Sequence, residues 1–117
     1  MGGTSYTFNA NVLGVPNVEF RTGSAYALPF DAGSIETATC FFMLHHLEDI
    51  RYALSEIKRV LKAGGELKAV EPLVQHHTHG TMLSAEGWKE LFEEAEFDTG
   101  MESRPGAVIL RAVKKDL

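Results

Sequence analysis

The sequence predicts an α/β fold with a mostly parallel sheet and a closing antiparallel hairpin, and three observations lead to it. First, a β-branched and aromatic run at 35–42, an amphipathic helix and an apolar run at 66–71 follow one another as in a parallel βαβ unit. Second, another amphipathic pattern begins at Ser84. Third, two strand-like runs are separated only by Pro105–Gly106 and must therefore be antiparallel.

Length and charge narrow the possible functions. The 117 residues correspond to one domain, and 11 basic against 16 acidic residues give a formal net charge of −5. This balance, without a basic run, argues against nucleic acid and anionic membrane surfaces as partners. The single cysteine, Cys40, excludes an internal disulfide, and no apolar run reaches membrane-spanning length. We therefore expect a cytoplasmic protein.

The first part of the chain is the least patterned. Residues 1–16 contain turn residues and too few apolar ones to fix a period, so we assign them to an N-terminal segment of uncertain structure and begin the domain, 17–117, after them. Residues 17–21 alternate apolar and polar side chains, which predicts a short strand. In the loop that follows, Gly33 permits a sharp turn into the strand that begins at Ile35.

The central helix is predicted from apolar side chains that recur every three or four residues and share one face: Ile50, Ala53, Leu54, Ile57 and Leu61. Gly64 and Gly65 are predicted to end this helix, because a left-handed position after a helix suits a residue without a Cβ atom. The strand at 66–71 follows directly.

The remaining elements are a second helix and the hairpin. Ser84 is a suitable N-cap for the helix. Alternation at 97–104 is typical of an edge strand, while the nearly continuous apolar run at 107–113 predicts a strand covered on both faces. The helix face predicted to be buried comprises Trp88, Leu91, Phe92 and Ala95.

Several of these segments together resemble a known family. The most specific is the run Glu56-Ile57-Lys58-Arg59-Val60-Leu61-Lys62-Ala63-Gly64-Gly65, and the segments 17–20, 23–25, 28–30 and 44–47 match as well. They resemble the class I S-adenosylmethionine-dependent methyltransferases, in particular the small-molecule branch that includes ubiquinone and menaquinone biosynthesis enzymes. The resemblance extends over roughly residues 11–114.

The resemblance implies a Rossmann-like sheet that binds S-adenosylmethionine at the carboxyl ends of its strands and supports methyl transfer to a small molecule. His45 and His46 become the catalytic candidates, because a base is needed where the acceptor must lose a proton. By position in the family pattern, Ser24 and Ala25 would lie near the adenine, Leu28 and Pro29 beside it, Cys40 and Phe41 under the methionine portion, and the two histidines at the substrate mouth.

The family's cofactor signature is incomplete in this sequence. Its glycine-rich turn after the first strand and the acid that ends the next strand are both missing, and its adenine-binding aspartate falls at Ser24. Glu36 stands where family members usually have aspartate. We therefore expect the C-terminal half of such a domain, with a truncated sheet. An isolated copy is expected to bind the cofactor weakly or not at all, because ligand sites normally enclose most of their ligand.

The missing strands would lie between the strand at 17–21 and the strand at Ile35. One edge of the Ile35 strand is then predicted to be unpaired, with Phe41 and Phe42 on exposed surface. Because exposed strand edges attract other strands, the expected partner is a second copy in a homodimer or a complementing chain.

Simpler interpretations of the candidate residues stay open. The histidines can bond to backbone instead of removing a proton, and Cys40 can be a buried packing residue. Glu71 either contacts substrate or is an exposed acid at a strand end. One loop contains three histidines, His76, His77 and His79, which suggest a set of metal ligands. They lack the spacing and the partner residues of a recognisable metal site, so no metal is predicted.

Three functions are compatible with the sequence. The first is a methyltransferase, complete only when a second chain supplies the missing wall. The second is a non-catalytic interaction module derived from that fold, and the third is a small metal-binding protein that uses the histidine loop. The resemblance favours the first.

Overall fold

The computed structural model describes residues 23–73 and 83–115. The predicted segment 1–16, the predicted strand at 17–21 and the three histidines of the loop lie outside these ranges. In chain order, the described elements are β1 (Ile35–Phe41), a 3₁₀ turn (Leu44–His46), α1 (Ile50–Val60), β2 (Leu61–Pro72), α2 (Ala85–Glu94), β3 (Phe97–Arg104) and β4 (Ala107–Lys114).

The strands form one mixed sheet in the order β1-β2-β4-β3. The β1 and β2 strands are parallel, as the βαβ pattern predicts, while β4 is antiparallel to both β2 and β3. The α/β class, the parallel unit and the closing hairpin are therefore confirmed. Within the described ranges β1 and β3 are the two edge strands; that the edge of β1 stays open in the whole chain remains a prediction.

The core lies between one face of the sheet and the two helices. Its largest fully buried side chains include Trp88, Phe92 and Leu54 on the helices and Leu67 and Leu110 on the strands. The expectation that β4 is covered on both faces is not met by the described residues. Its side chains alternate instead, because the helices described here pack on one face only, and Ile109 on the other face is 37% exposed.

Helix α1 begins at the predicted place and ends earlier than predicted. Asp49 caps its start, since a carboxylate oxygen accepts a hydrogen bond from the Tyr52 backbone N–H at 3.0 Å. The helix ends at Val60 rather than at the glycine pair. The last carbonyl groups are satisfied from outside the helix, because Gly33 N–H donates to the Arg59 oxygen and Ser34 N–H donates to the Val60 oxygen.

The glycine pair bends strand β2 instead of ending the helix. Gly64 has a φ of +78°, the left-handed conformation expected of it, although it lies inside β2. A Cβ atom on Gly65 would approach the carbonyl oxygen of Lys62 in the same strand at 2.8 Å and that of Glu36 in β1 at 2.9 Å. The bend allows the pairing with β1 to step from Ile35↔Leu61 to Thr37↔Glu66.

The second helix and the hairpin follow the prediction closely. The Ser84 hydroxyl accepts a hydrogen bond from Gly87 N–H at 3.0 Å, and Trp88, Leu91 and Phe92 are buried, with Ala95 partly so. The turn at Pro105–Gly106 joins β3 and β4, and Gly106 has a φ of +79°. Neither helix of the described ranges is long and apolar enough to cross a membrane.

Candidate functional site

A cavity of about 380 Å³ lies along the open edge of β1. Thr37 and Thr39 line it from one face of the strand, and Ala38 and Cys40 from the other, so the cavity wraps around the strand edge. The loop at 23–30 forms the opposite wall. Side chains of α1 and its neighbours close the inner end: Ile57, Val60, Ile35 and Met43.

Five of the six predicted cofactor contacts meet in this cavity. The walls are mostly apolar, and the lining residues among those described include hydroxyl groups but no charged side chain. Such a wall is suited to a flat, largely apolar group. Phe41 is the one predicted cofactor contact that does not line the cavity. The predicted contacts that line it are Ser24, Ala25, Leu28, Pro29 and Cys40.

The wall at 23–30 begins with a compact turn. The Ser24 hydroxyl accepts a hydrogen bond from Tyr26 N–H at 3.1 Å, and Ala27 N–H donates to the Ser24 carbonyl oxygen at 3.1 Å. Gly23 lies against Pro29, where a Cβ atom would approach the ring Cδ at 2.7 Å. The turn therefore depends on a residue without a side chain at position 23.

Cys40 is buried in the floor of the cavity, in an environment that does not activate its thiol. Its side chain is 7% exposed, and burial, followed by the negative charge of Glu71, raises the pKa of the thiol to about 12. The thiol therefore stays protonated near neutral pH. The interpretation of Cys40 as a packing residue fits this environment.

Phe41 and Phe42 are exposed, as the open edge predicts. Their exposed fractions are 63% and 52%, and Phe41 lies on the sheet face opposite Cys40. Phe42 has a φ of +53°, which is uncommon for an aromatic residue, and its N–H donates to the Val70 oxygen at 2.7 Å. This left-handed residue turns the chain out of β1 at the end of the cavity.

Glu71 is fully buried, so its interpretation as an exposed acid was wrong. One carboxylate oxygen accepts from Met43 N–H at 3.3 Å and Leu44 N–H at 2.9 Å, and the other accepts from His45 N–H at 3.3 Å. The physical reason is topological. Parallel β1 and β2 end at the same edge of the sheet, so the last side chains of β2 face the chain that leaves β1.

The two histidines are placed differently from each other. His45 is buried, and its Nδ1 lies 2.8 Å from a Glu71 carboxylate oxygen. His46 is exposed, and the two ring centroids are 3.9 Å apart. Neither is among the residues that line the cavity. The contact with Glu71 orients the His45 ring, and a catalytic role for either histidine stays a prediction.

Sequence reasoning missed the part that Glu71 plays. The signal that could have found it is a carboxylate at the end of a strand whose parallel neighbour runs into a histidine-containing turn.

For metal ions, the described ranges contain no group of three or more His, Cys, Asp and Glu side chains that could hold one. The loop histidines His76, His77 and His79 lie outside those ranges.

Comparison with known proteins settles the family. A sequence profile described as a methyltransferase domain matches residues 5–69, more than half of the chain. The chain belongs to this methyltransferase domain family. Within the family, the uncharacterized methyltransferase YcgJ of Bacillus subtilis is 43% identical over 62 residues, which cover 53% of this chain and 24% of that protein. A demethylmenaquinone methyltransferase of Chlorobaculum tepidum is 33% identical over 76 residues, covering 61% of this chain and 31% of that protein.

The fold comparison agrees. The crystal structure of YcgJ from Bacillus subtilis has a TM-score of 0.77 at 19% identity, covering 92% of this chain and 76% of that one. The predicted Rossmann-like methyltransferase fold is thus confirmed. This methyltransferase domain spans about a quarter to a third of the length of the two curated relatives named above.

Proposed function

We propose that this chain takes part in methyl transfer from S-adenosylmethionine to a small molecule, with the cavity beside β1 holding the adenosine part of the cofactor. The observation that carries the proposal is the convergence of five predicted contact residues on one apolar cavity of about 380 Å³. Its volume falls in the usual range for small-molecule sites. Family membership supports the same reaction, and the name of the Chlorobaculum tepidum relative supports a small-molecule acceptor.

The described residues fit one part of the cofactor. Ala25, Leu28 and Pro29 offer an apolar wall to a purine ring, and the hydroxyl of Ser24 stands at its rim. Cys40, protonated and uncharged, would lie under the methionine portion, with Phe41 near it. When bound, S-adenosylmethionine supplies an electrophilic methyl group on a sulfonium sulfur. Its ribose hydroxyls and amino-acid group need polar partners beyond this apolar wall.

His45 and His46 are the residues we propose near the methyl acceptor. The contact between Nδ1 of His45 and Glu71 fixes the orientation of the His45 ring. An imidazole is the usual group for removing a proton from an acceptor near neutral pH. The exposed ring of His46 lies beside it and is the alternative base.

We further propose that a second copy covers the open edge of β1, forming a homodimer in which the partner supplies the missing wall of the cavity. The exposed Phe41 and Phe42 support this, because aromatic surface at a strand edge favours strand pairing. A complementing chain is the alternative partner. The cytoplasmic location expected from cysteine usage remains part of the proposal, and neither nucleic acid nor membrane is proposed as a partner.

The cavity can be tested with two matched substitutions in one loop. Ala25 lines the cavity and Ala27, two residues later, is exposed. Ala25→Phe fills the cavity, whereas Ala27→Phe adds the same ring to the surface. Backbone NMR during titration with S-adenosylmethionine detects even millimolar binding. We expect shifts at Ala38 and Cys40 in the wild type and in Ala27→Phe, and none in Ala25→Phe.

Two outcomes would contradict the proposal. One is the absence of shifts in the wild type at every cofactor concentration up to several millimolar, and the other is binding by Ala25→Phe equal to that by Ala27→Phe. A parallel titration with zinc separates the remaining alternatives. Binding of zinc alone favours a metal-binding protein, and binding of neither ligand favours the interaction module.

A further inference from the structure

Two charged residues in the run that is most specific for the family have no role in the proposed function. Glu56 and Arg59 belong to the run that carries the family resemblance, and both lie on α1, three residues apart. Side chains at this spacing are neighbours on a helix surface. An ordinary surface ion pair would contact only side chains, whereas these two residues reach the backbone of another segment.

That segment is the cavity wall. A carboxylate oxygen of Glu56 accepts a hydrogen bond from Leu28 N–H at 2.7 Å. The Nη2 atom of Arg59 donates to the carbonyl oxygens of Leu28 at 3.2 Å and of Phe30 at 3.0 Å. Donor and acceptor groups of the same short stretch are thus bound from one helix. Leu28, Pro29 and Phe30 all line the cavity.

The two side chains also hold each other. Nε of Arg59 donates to one oxygen of Glu56 at 2.8 Å, and Nη2 donates to the other at 2.8 Å. Such a two-point contact fixes the orientation of both groups. The Glu56 side chain is only 12% exposed and that of Arg59 is 39% exposed. The hydrogen bond from Arg59 is the main cause that lowers the pKa of the Glu56 carboxyl, so this group is ionised at neutral pH.

A second ion pair of the same helix shows the contrast. Arg51 of α1 pairs with Glu94 of α2 at 3.0 Å, and the two side chains are 71% and 55% exposed. This pair joins two side chains on the surface, and pairs of that kind contribute little to stability. It therefore serves as the matched control.

We infer that Glu56 and Arg59 are positioning residues, which hold the backbone at 28–30 in place as one wall of the cavity. The inference rests on the proposed function for its consequence, which is that ligand affinity in the cavity depends on the pair. Loops without such contacts are mobile relative to the elements that they connect. A wall held in advance need not be ordered when the ligand binds.

The test compares Glu56→Ala with Glu94→Ala and Arg59→Ala with Arg51→Ala in the full chain. Three properties are measured: the thermal midpoint, hydrogen exchange at the Leu28 amide, and the affinity for S-adenosylmethionine by NMR titration. In Glu56→Ala we expect the Leu28 amide to exchange at least about tenfold faster and the cofactor to bind at least about tenfold more weakly, as for loss of one hydrogen bond to a charged group. Arg59→Ala is expected to weaken cofactor binding to a similar extent.

Arg59→Lys gives a milder variant in case the alanine variants fail to fold. Lysine keeps the charge but lacks the planar fork with which Nε and Nη2 of Arg59 bind both oxygens of Glu56. We expect it to weaken cofactor binding while its thermal midpoint stays near that of Arg51→Lys. A purely structural residue would change the midpoint and the affinity together.

Two results would overturn the inference: Leu28 exchange in Glu56→Ala equal to that in Glu94→Ala, or an unchanged cofactor affinity despite faster exchange. Failure of the proposed function looks different, because the wild type itself would then show no cofactor binding. In that case Leu28 exchange alone decides whether the pair holds the wall, with faster exchange supporting it and unchanged exchange overturning it.

Discussion

The carboxylate of Glu71 holds the junction at which β1 passes into the 3₁₀ turn. It is fully buried, yet it accepts hydrogen bonds from three successive backbone N–H groups and lies 2.8 Å from the imidazole Nδ1 of His45. A buried carboxylate is tolerated only where donors replace its water. These contacts hold the three residues that directly follow the left-handed Phe42, where the chain leaves the sheet.

Replacing this carboxylate by an amide is expected to be costly. In Glu71→Gln one oxygen acceptor becomes an NH₂ group that faces other donors. We expect the free energy of unfolding to fall by about 2–4 kcal/mol, as when one partner of a buried charged network is removed. Urea denaturation of Glu71→Gln and of the control Glu102→Gln, whose side chain is 57% exposed, measures the difference. Equal midpoints in the two variants would show that the network is not stabilising.

The buried thiol of Cys40 is expected to make the stability of the protein depend on pH above pH 9. Its thiol pKa is about 12 in the folded protein against an ordinary value of 9.0, because burial disfavours the thiolate. Between these values the unfolded state binds fewer protons at this group, so stability is lost as pH rises above 9. We expect the wild type to lose about 1.4 kcal/mol per pH unit relative to Cys40→Ala in that range. Denaturation at pH 8, 9, 10 and 10.5 measures this, and parallel curves for the two proteins would contradict it.

At the scale of elements, the bend in β2 depends on the glycine pair. The left-handed Gly64 is followed by Gly65, whose position leaves no space for a Cβ atom beside the β1 backbone. All three nearest atoms to that missing Cβ are carbonyl oxygens of the main chain, which cannot turn away as a flexible side chain can. The register of β1 against β2 therefore requires glycine at this position.

Gly65→Ala is expected to lower the free energy of unfolding by about 1–3 kcal/mol, the usual cost of added bulk in a packed site. Gly100 in β3 provides the control, because a Cβ atom there would meet only the Arg111 oxygen at 4.0 Å, and its φ is not positive. Thermal denaturation of both variants measures the effect. A Gly65→Ala variant as stable as Gly100→Ala would mean that the two strands can separate slightly without loss.

The elements of the fold differ in how well they could be predicted from the sequence. Local patterns gave the position of α1, the Ser84 cap and the hairpin, because each depends on residues close together in the chain. The end of α1 was placed too late, since it is fixed by N–H groups of Gly33 and Ser34, which only the tertiary fold brings to it. The cavity residues were predicted from the family pattern rather than from periodicity.

The contacts that sequence reasoning missed are long-range. The bond from Leu28 to Glu56 and the bond from Met43 to Glu71 each span 28 residues. Neither has a local signature, because a glutamate on a helix or at a strand end usually faces water. Only the arrangement of β1 beside β2, with α1 packed across them, makes these two acids structural.

Among the described residues, two surfaces of the sheet lack cover. One is the edge of β1, and the other is the face that carries an apolar row across three strands. In this row Phe41 pairs with Val70, and Val70 pairs with Ile109. Phe41 is 63% and Ile109 is 37% exposed. A partner could therefore bind the edge, the face, or both, and the proposed homodimer uses the edge.

Two lysine substitutions distinguish these possibilities. Phe41→Lys places a charge at the edge strand, where two copies would meet across a twofold axis and repel each other. Ile109→Lys places the same charge on the sheet face, two strands away from that edge. If the homodimer forms through the β1 edge, the wild type and Ile109→Lys are dimers at micromolar concentration, and Phe41→Lys is a monomer. Sedimentation velocity over a hundredfold range of concentration measures the three species. A dimer lost in both variants would place the interface on the face, and a wild type that stays monomeric throughout would eliminate the homodimer and leave the complementing chain as the partner.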